Sequence, residues 1–250
     1  MSQDSLLLKR GLSILLLFEG EENGQSIAGI SRKMGLPFST TSRILRALEE
    51  ENFLERDQET KLYHLSLNCY RLGSLALEGG LLRRISRPFM EELRRRYNET
   101  VIFYIRKGDR RVYYAQLEGA QSLRRTVTVG ATAPLWVGSA SRCLLAFSPD
   151  GELERILADI TPLTPRTVTD SAQVIKKIHE IRNTRYDVSD SEREEGVFSI
   201  SSPILSAPCK VAACLTLTGP TLRFKEDILP SMIADVRDAA EKISAMLQQS

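Results

Sequence analysis

The sequence predicts an α+β protein in two parts. A small helical domain is closed by a two-stranded ribbon, and a larger domain carries a mainly antiparallel sheet flanked by helices. Three observations predict this. Up to about residue 53 the apolar residues recur three and four apart, the period of helices with one buried face. From Thr100 the period changes: residues 101–106 and 112–117 are rich in β-formers and meet at Gly108-Asp109, the pattern of a hairpin. The later strands are grouped in sequence between helices, which favours a mixed, mainly antiparallel sheet with helices on its faces. The chain of 250 residues is long enough for two cores.

Taken in order, residues 6–18 read as a first helix, with Leu8, Leu12, Leu15 and Leu16 as its buried stripe, and residues 19–24 as a polar loop. Ser26 can cap a second helix whose Ile27, Ile30 and Met34 share a face. Gly35 suits the left-handed position that ends a helix, Leu36 is the apolar residue of the turn, and Pro37 suits the start of the next helix. On that third helix Thr41, Leu45 and Leu48 lie on one face with Ile44 beside them. Ser39, Ser42, Arg43 and Arg46 lie opposite. An apolar inner face with hydroxyls and arginines outside is what a major-groove reading helix needs, because hydroxyls reach phosphates or base edges and arginine can hold guanine with two donors. The bland reading is a helical hairpin with a solvated face. Asn52 and Phe53 close the helix, and residues 54–56 and 62–65 read as short strands around a turn at 57–60. Three helices and a ribbon make a winged helix-turn-helix over residues 1–67. Ser39, Thr40, Ser42, Arg43 and Arg46 are its candidate DNA contacts. Lys61 and Arg56 are the cations of the wing, whose tip is acidic.

Residues 68–80 continue as a helix, with Leu67, Tyr70, Leu72 and Leu75 apolar, that stops at Gly79-Gly80. Residues 82–97 form a basic helix carrying six arginines, a run that usually marks a solvated face. After the hairpin, residues 122–129 alternate and read as a third strand. A helix starts near Ser139. Two more cover 152–160 and 173–182, around a Pro/Thr-rich loop at 161–169. Strands at 186–188, 198–205 and 211–218, the last stopped by Gly219-Pro220, precede an amphipathic terminal helix at 228–247.

Composition bounds the function. The net charge of +2 does not announce a nucleic-acid binder, and residues 1–68 hold eight Lys/Arg against ten Asp/Glu, a balance of −2. The local pattern matters more, since Arg32, Lys33, Arg43 and Arg46 gather around the turn while the acids sit at 19–22 and 49–51. Cys69, Cys143, Cys209 and Cys214 form no C-x-x-C pair, and His64 and His179 have no metal-ligand spacing, so neither a disulfide frame nor a metal site is expected. No apolar run is of membrane-spanning length and no signal-peptide pattern opens the chain, so the expected location is cytoplasmic, with no membrane partner.

In the second part no phosphate loop, carboxylate pair with a base, or Ser-His-Asp set appears, so no catalytic residue is assigned and no cofactor is expected. Small and hydroxylic residues concentrate where strands meet helices: Ser139 to Ser141, Ser189 and Asp190, Ser199 to Ser202, Thr216 and Thr218. Small side chains leave room, and hydroxyls and helix-start N–H groups can bind a carboxylate. The competing reading is that these are ordinary caps, turns and β-formers.

Residues 27–48 carry I-A-x-x-S-x-x-x-G-L-P-x-S-T-x-x-R-x-L-x-x-L, and this pattern resembles the DNA-binding domain of the IclR family of bacterial transcriptional regulators. The resemblance spans nearly the whole chain. It continues through Gly130, Pro134, Leu135, Ala140 and Leu144–Leu145, through Tyr186, Asp190, Glu192, Gly196, Val197 and Pro203, and through Leu215, Thr216, Thr218, Gly219 and Pro220. It implies a GAF-like effector-binding domain over 81–250 and a linker helix at 68–80. It further implies a homodimer or dimer of dimers on a pseudo-palindromic operator in double-stranded DNA, and a small organic-acid effector acting on a repressor. The matching pocket positions are Leu123, Thr126, Ala140 and Ser141, then Ser189, Asp190 and Val197, then Ser199, Thr216 and Thr218. Trp136 stands where the family has His, and Ser141-Arg142 where it has Gly-Lys. Ser189 and Ser199 replace the Asp and Cys of some small-acid binders. Losing that carboxylate favours an anionic or neutral polar ligand, larger or aromatic. A rival class is an enzymatic or metabolite-binding domain joined to a protein-docking helical one. The missing nucleophile-base pair and metal cluster argue against its enzymatic form.

Overall fold

The computed structural model describes residues 3–18, 24–78 and 80–249 and separates into two compact units, residues 1–79 and 80–250. In the first, α1 (Gln3–Leu16), α2 (Ile27–Met34) and α3 (Phe38–Glu50) precede the hairpin β1 (Leu54–Arg56) and β2 (Tyr63–Leu65), and α4 (Leu67–Glu78) follows. The hydroxyl of Ser26 accepts from Gly29 N at 3.1 Å and starts α2. Gly35 ends it at φ +62°, with its N–H donating to Arg32 O, and Leu36 N–H reaches back to Ser31 O. Pro37 occupies the cap of α3 and not its first turn. Ile14, Phe18, Ile30, Ile44, Leu45, Leu54 and Tyr63 form the core.

The face of α1 differs from the expected stripe. Ile14 is buried and Leu15 half-buried, whereas Leu8, Leu12 and Leu16 are 66%, 55% and 73% exposed. The four leucines span too wide an arc for one helix to bury, and the core takes the Gly11–Ile14–Phe18 side. Leu67, Tyr70, Leu72 and Leu75 on α4 are likewise exposed. The polar loop expected at 19–24 lies, up to residue 23, outside the described residues.

The second unit holds α5 (Leu81–Tyr97), β3 (Thr100–Lys107), β4 (Arg110–Leu117), β5 (Thr132–Pro134), α6 (Ser139–Leu145), α7 (Asp150–Ile156), α8 (Ser171–Thr184), β6 (Asp187–Asp190), β7 (Val197–Ala207), β8 (Lys210–Pro220) and α9 (Leu229–Gln248). The sheet runs β5-β4-β3-β8-β7-β6, antiparallel throughout. α5 and α9 cover one face through Phe103, Leu215, Val236 and their neighbours. α6 and α8 cover the other through Ile102, Tyr113, Leu145 and Ile178.

Residues 122–129 are not a strand. Side chains hold this segment where a ladder was expected: Gln116 Nε2 donates to Val127 O (3.1 Å), Val127 N–H to Gln116 Oε1 (2.9 Å), Thr100 Oγ1 to Arg125 O (2.6 Å) and Arg223 to Leu123 O (2.9 Å). β5 takes the edge beside β4 instead. On the basic α5, Arg87, Arg95 and Arg96 are solvated as expected and meet Glu91, Glu92 and Asp235, whereas Arg83 is half-buried with Nη1 unpaired among the described residues. Among the described residues no helix is long and apolar enough to cross a membrane.

Candidate functional site

Two surfaces carry the chemistry. On α3, Thr41 and Leu45 are fully buried, which turns the other side of the helix outward. Ser39, Arg43 and Arg46 are exposed there, with Thr40 and Ser42 half-buried beside them. Thr41 Oγ1 donates to Pro37 O (3.1 Å), so its hydroxyl is spent on the helix start. Arg46 pairs with Glu50 at 2.9 Å, a highly exposed pair one helical turn apart and worth little. Arg43 has no partner among the described residues and is the freer cation. In the wing, Asp57 accepts from the N–H groups of Glu59 and Thr60 and from the Thr60 hydroxyl, which holds its carboxyl below the ordinary range. Lys61 is exposed at φ +58°, and Arg56 lies 5.4 Å over the ring of Tyr63. The exposed Phe38 at the mouth of α3 was not singled out by sequence reasoning.

The second surface is a cleft of about 420 Å³, including its open mouth, on the α6 side of the sheet. Its floor is a row of hydroxyls set by strand register. Ser189 pairs with Ser199, and Ser199 with Thr218; one step along, Ser201 pairs with Thr216. The hydroxyls bond across the strands, Ser199 to Thr218 at 2.8 Å and Ser201 to Thr216 at 2.9 Å. Ser139 at the start of α6 joins Ser201 at 2.8 Å and Ser189 at 3.1 Å. Gly138 turns the chain at φ +82°. A Cβ there would meet Arg111 Nη1 and Ser189 Oγ only at contact distance, 3.6 and 3.9 Å, so it is the left-handed backbone that calls for glycine.

Six of the expected pocket residues line this cleft: Ala140, Ser189, Val197, Ser199, Thr216 and Thr218. The other four do not. Ser141 is fully buried beneath the cleft, donating to Pro134 O and accepting from Arg111 Nη1 at 3.0 Å. Asp190 is turned to Arg166, Thr221 and Ser191, whose hydrogen bonds outweigh its burial and hold its carboxyl low. Leu123 and Thr126 are exposed on the side-chain-tethered segment.

Sequence reasoning missed the charged walls. Arg111 is buried at 4% exposure. Nη1 donates to Val137 O and Ser141 Oγ, the guanidinium lies 5.2 Å over the Tyr104 ring, and Nε has no hydrogen-bond partner. Arg193 lies 5.5 Å over Tyr113 and donates to its hydroxyl. Burial pushes the Tyr104 phenol up, against the pull of Arg111, so it stays a neutral donor. Strict alternation would have put Arg111 with Ala115 on the α5/α9 face. A β-bulge prevents this: Phe103 faces Ala115 but Tyr104 faces Tyr113, leaving Tyr114 as one residue too many. The usable signal was an arginine and tyrosines together in a strand read as core.

Behind the cleft, Arg142 is 1% exposed and reaches Asp187 at 2.5 Å and Glu192 at 2.6 and 2.9 Å. Burial opposes its charge, but the two carboxylates outweigh that and keep it ionised. The pairing fixes the loop that brings Glu192, Arg193 and Glu194 to the rim.

Family comparison decides what these surfaces belong to. The bacterial transcriptional regulator IclR C-terminal domain matches residues 75–245, and the IclR helix-turn-helix domain matches residues 7–58. The chain belongs to the IclR family. It is similar to the HTH-type transcriptional regulator KipR of Bacillus subtilis, 34% identical over 84% of each chain. It is also similar to the HTH-type transcriptional repressor AllR of Escherichia coli, 31% identical over 96% of this chain and 89% of the other. An IclR homolog from Microbacterium hydrocarbonoxydans, solved with 4-hydroxybenzoate, shares the fold at TM-score 0.84 and 23% identity, covering 98% of this chain and 100% of that one. This IclR-family chain is therefore a DNA-binding transcriptional regulator, and α2 and α3 lie within its matched helix-turn-helix domain.

Proposed function

We propose that this regulator is a cytoplasmic repressor whose grip on a pseudo-palindromic operator is set by a small organic acid in the cleft. Residues 1–67 are the DNA-binding domain, 68–80 the linker helix and 81–250 the effector domain. Ser39, Thr40, Ser42, Arg43, Arg46 and Lys61 meet the duplex. The observation that carries the effector assignment is the hydroxyl floor facing a buried arginine whose Nε has no partner among the described residues. AllR's description as a repressor and the aromatic acid bound by the Microbacterium homolog support it. The leucines left exposed on α1 and the apolar residues on α4 supply the surface a second copy would cover, giving a homodimer or dimer of dimers with two reading heads. Coupling between effector and operator is of order 1–3 kcal/mol, about 5- to 150-fold in affinity.

A gel shift against the gene's own upstream region, at two salt concentrations and with a carboxylate panel, tests this. The expected shift weakens as salt rises and is altered by at least one acid. Operator binding indifferent to every carboxylate refutes the effector half, and no salt-sensitive shift refutes the operator half.

A further inference from the structure

We infer that the effector is a dicarboxylate, held at one end by Arg111 and at the other by Arg193; this rests on the cleft being the effector site. The argument is a charge count. Five charged side chains line the cleft: Arg111, Arg125, Arg193, Glu192 and Glu194. Both carboxylates are already matched. Asp187 and Glu192 share Arg142, at 2.5 and 2.6 Å, with Lys177 3.9 Å from Glu192 as the second cation, and Glu194 is taken by Arg125 at 2.6 Å. Neither remaining cation meets a carboxylate among the described residues. Arg111 spends one nitrogen on a carbonyl and a hydroxyl and leaves Nε without a partner. Arg193 has only the Tyr113 hydroxyl.

The two guanidiniums rest on different rings. Arg111 stacks on Tyr104 and Arg193 on Tyr113, rings whose centroids are 5.0 Å apart. Arg111 is buried, where an unmatched charge is costly, and the half-exposed Arg193 adds a second cation at the rim, so two negative groups on one ligand suit the pair. The hydroxyls of Ser189, Ser199 and Thr218 form the floor between the walls, but Ser189 donates to Ser139, Thr218 to Phe198 O and Ser199 to Thr218, so the arginines are the anchors. No carboxylate is free to repel a dianion, and the neutral Tyr104 phenol adds a donor. Replacing the acid seen in small-acid relatives by Ser189 fits the same demand.

Isothermal titration of the full-length protein tests this with succinate, glutarate and adipate against butanoate, pentanoate and hexanoate. One dicarboxylate is expected to bind about tenfold or more tighter than the monocarboxylate of equal length, the worth of one charge-assisted hydrogen bond. Arg193→Gln should erase that preference; its half-exposed position should spare the fold, checked by an unchanged melting temperature. Arg111→Lys, which keeps the charge and loses the fork, should weaken both series. Equal binding of the two series overturns the dicarboxylate inference and leaves the effector site standing. Binding of no carboxylate overturns both.

Discussion

Replacing Arg142 by Met tests how the effector domain is held together. The side chain is 1% exposed, with five donors' worth of guanidinium directed at Asp187, Glu192 and the carbonyl of Val188. Methionine keeps much of the volume but leaves two buried carboxylates facing each other, with only Lys177, 3.9 Å from Glu192, still near. Removing one side of a buried ion pair costs about 3–5 kcal/mol. At roughly 2–4 °C per kcal/mol for a domain of this size, the melting temperature should fall by about 6–20 °C. The loop carrying Arg193 loses its anchor as well, so carboxylate binding should weaken in parallel. Guanidinium unfolding at pH 7 measures the first effect and titration calorimetry the second. The triple variant Arg142→Met, Asp187→Asn, Glu192→Gln removes the stranded charges and should recover most of the loss. A single variant that loses less than about 1 kcal/mol, or a triple variant no better than the single, refutes the reasoning.

Three further outcomes follow from the same structure. Arg43→Ala should remove specific operator binding, at about 1–3 kcal/mol per half-site, while circular dichroism is unchanged, because the side chain is exposed and unpaired among the described residues; a gel shift checks it. Ser26→Ala should lower the stability of the helix-turn-helix unit by about 1 kcal/mol, since it removes the cap of α2, read as a drop in its urea midpoint. Acid should destabilise the effector domain: Arg106 holds the Glu152 carboxyl low, and hydrogen bonds from Thr221, Ser191 and Arg166 hold Asp190 low against its burial. Stability from depressed carboxylates is complete above their ordinary values near 4 and is lost as pH falls through the depressed ones, so the urea midpoint should drop between about pH 5 and 3.

Legibility tracked the range of the forces. The α2–α3 hairpin could be read almost residue by residue, because Ser26, Gly35 and Leu36 act on neighbours three to five positions away. The hydroxyl floor was legible as a concentration of small hydroxylic residues, given weight by the resemblance. What escaped reading depends on partners distant in sequence. Gln116, Thr100 and Arg223 hold residues 122–129 out of the sheet, and nothing inside that segment announces it. Arg111 reaches the cleft because of a bulge opposite Phe103 and Tyr104, which a strict two-residue period hides. On α1 the period was right and the phase wrong, since leucines surround much of the helix and only the packed partners choose Ile14.

The tethering of residues 122–129 by side chains has its own consequence. A main-chain ladder opens only when several bonds break together, whereas these ties come from three separate side chains. Arg125, on the same segment, reaches the cleft through one ion pair to Glu194. The placing of residues 122–129 can thus be loosened or tightened by exchanging individual residues such as Gln116 or Arg223, leaving the six-stranded scaffold unaltered. The tethered segment and the frame are built from different kinds of bond, and each can be retuned without the other.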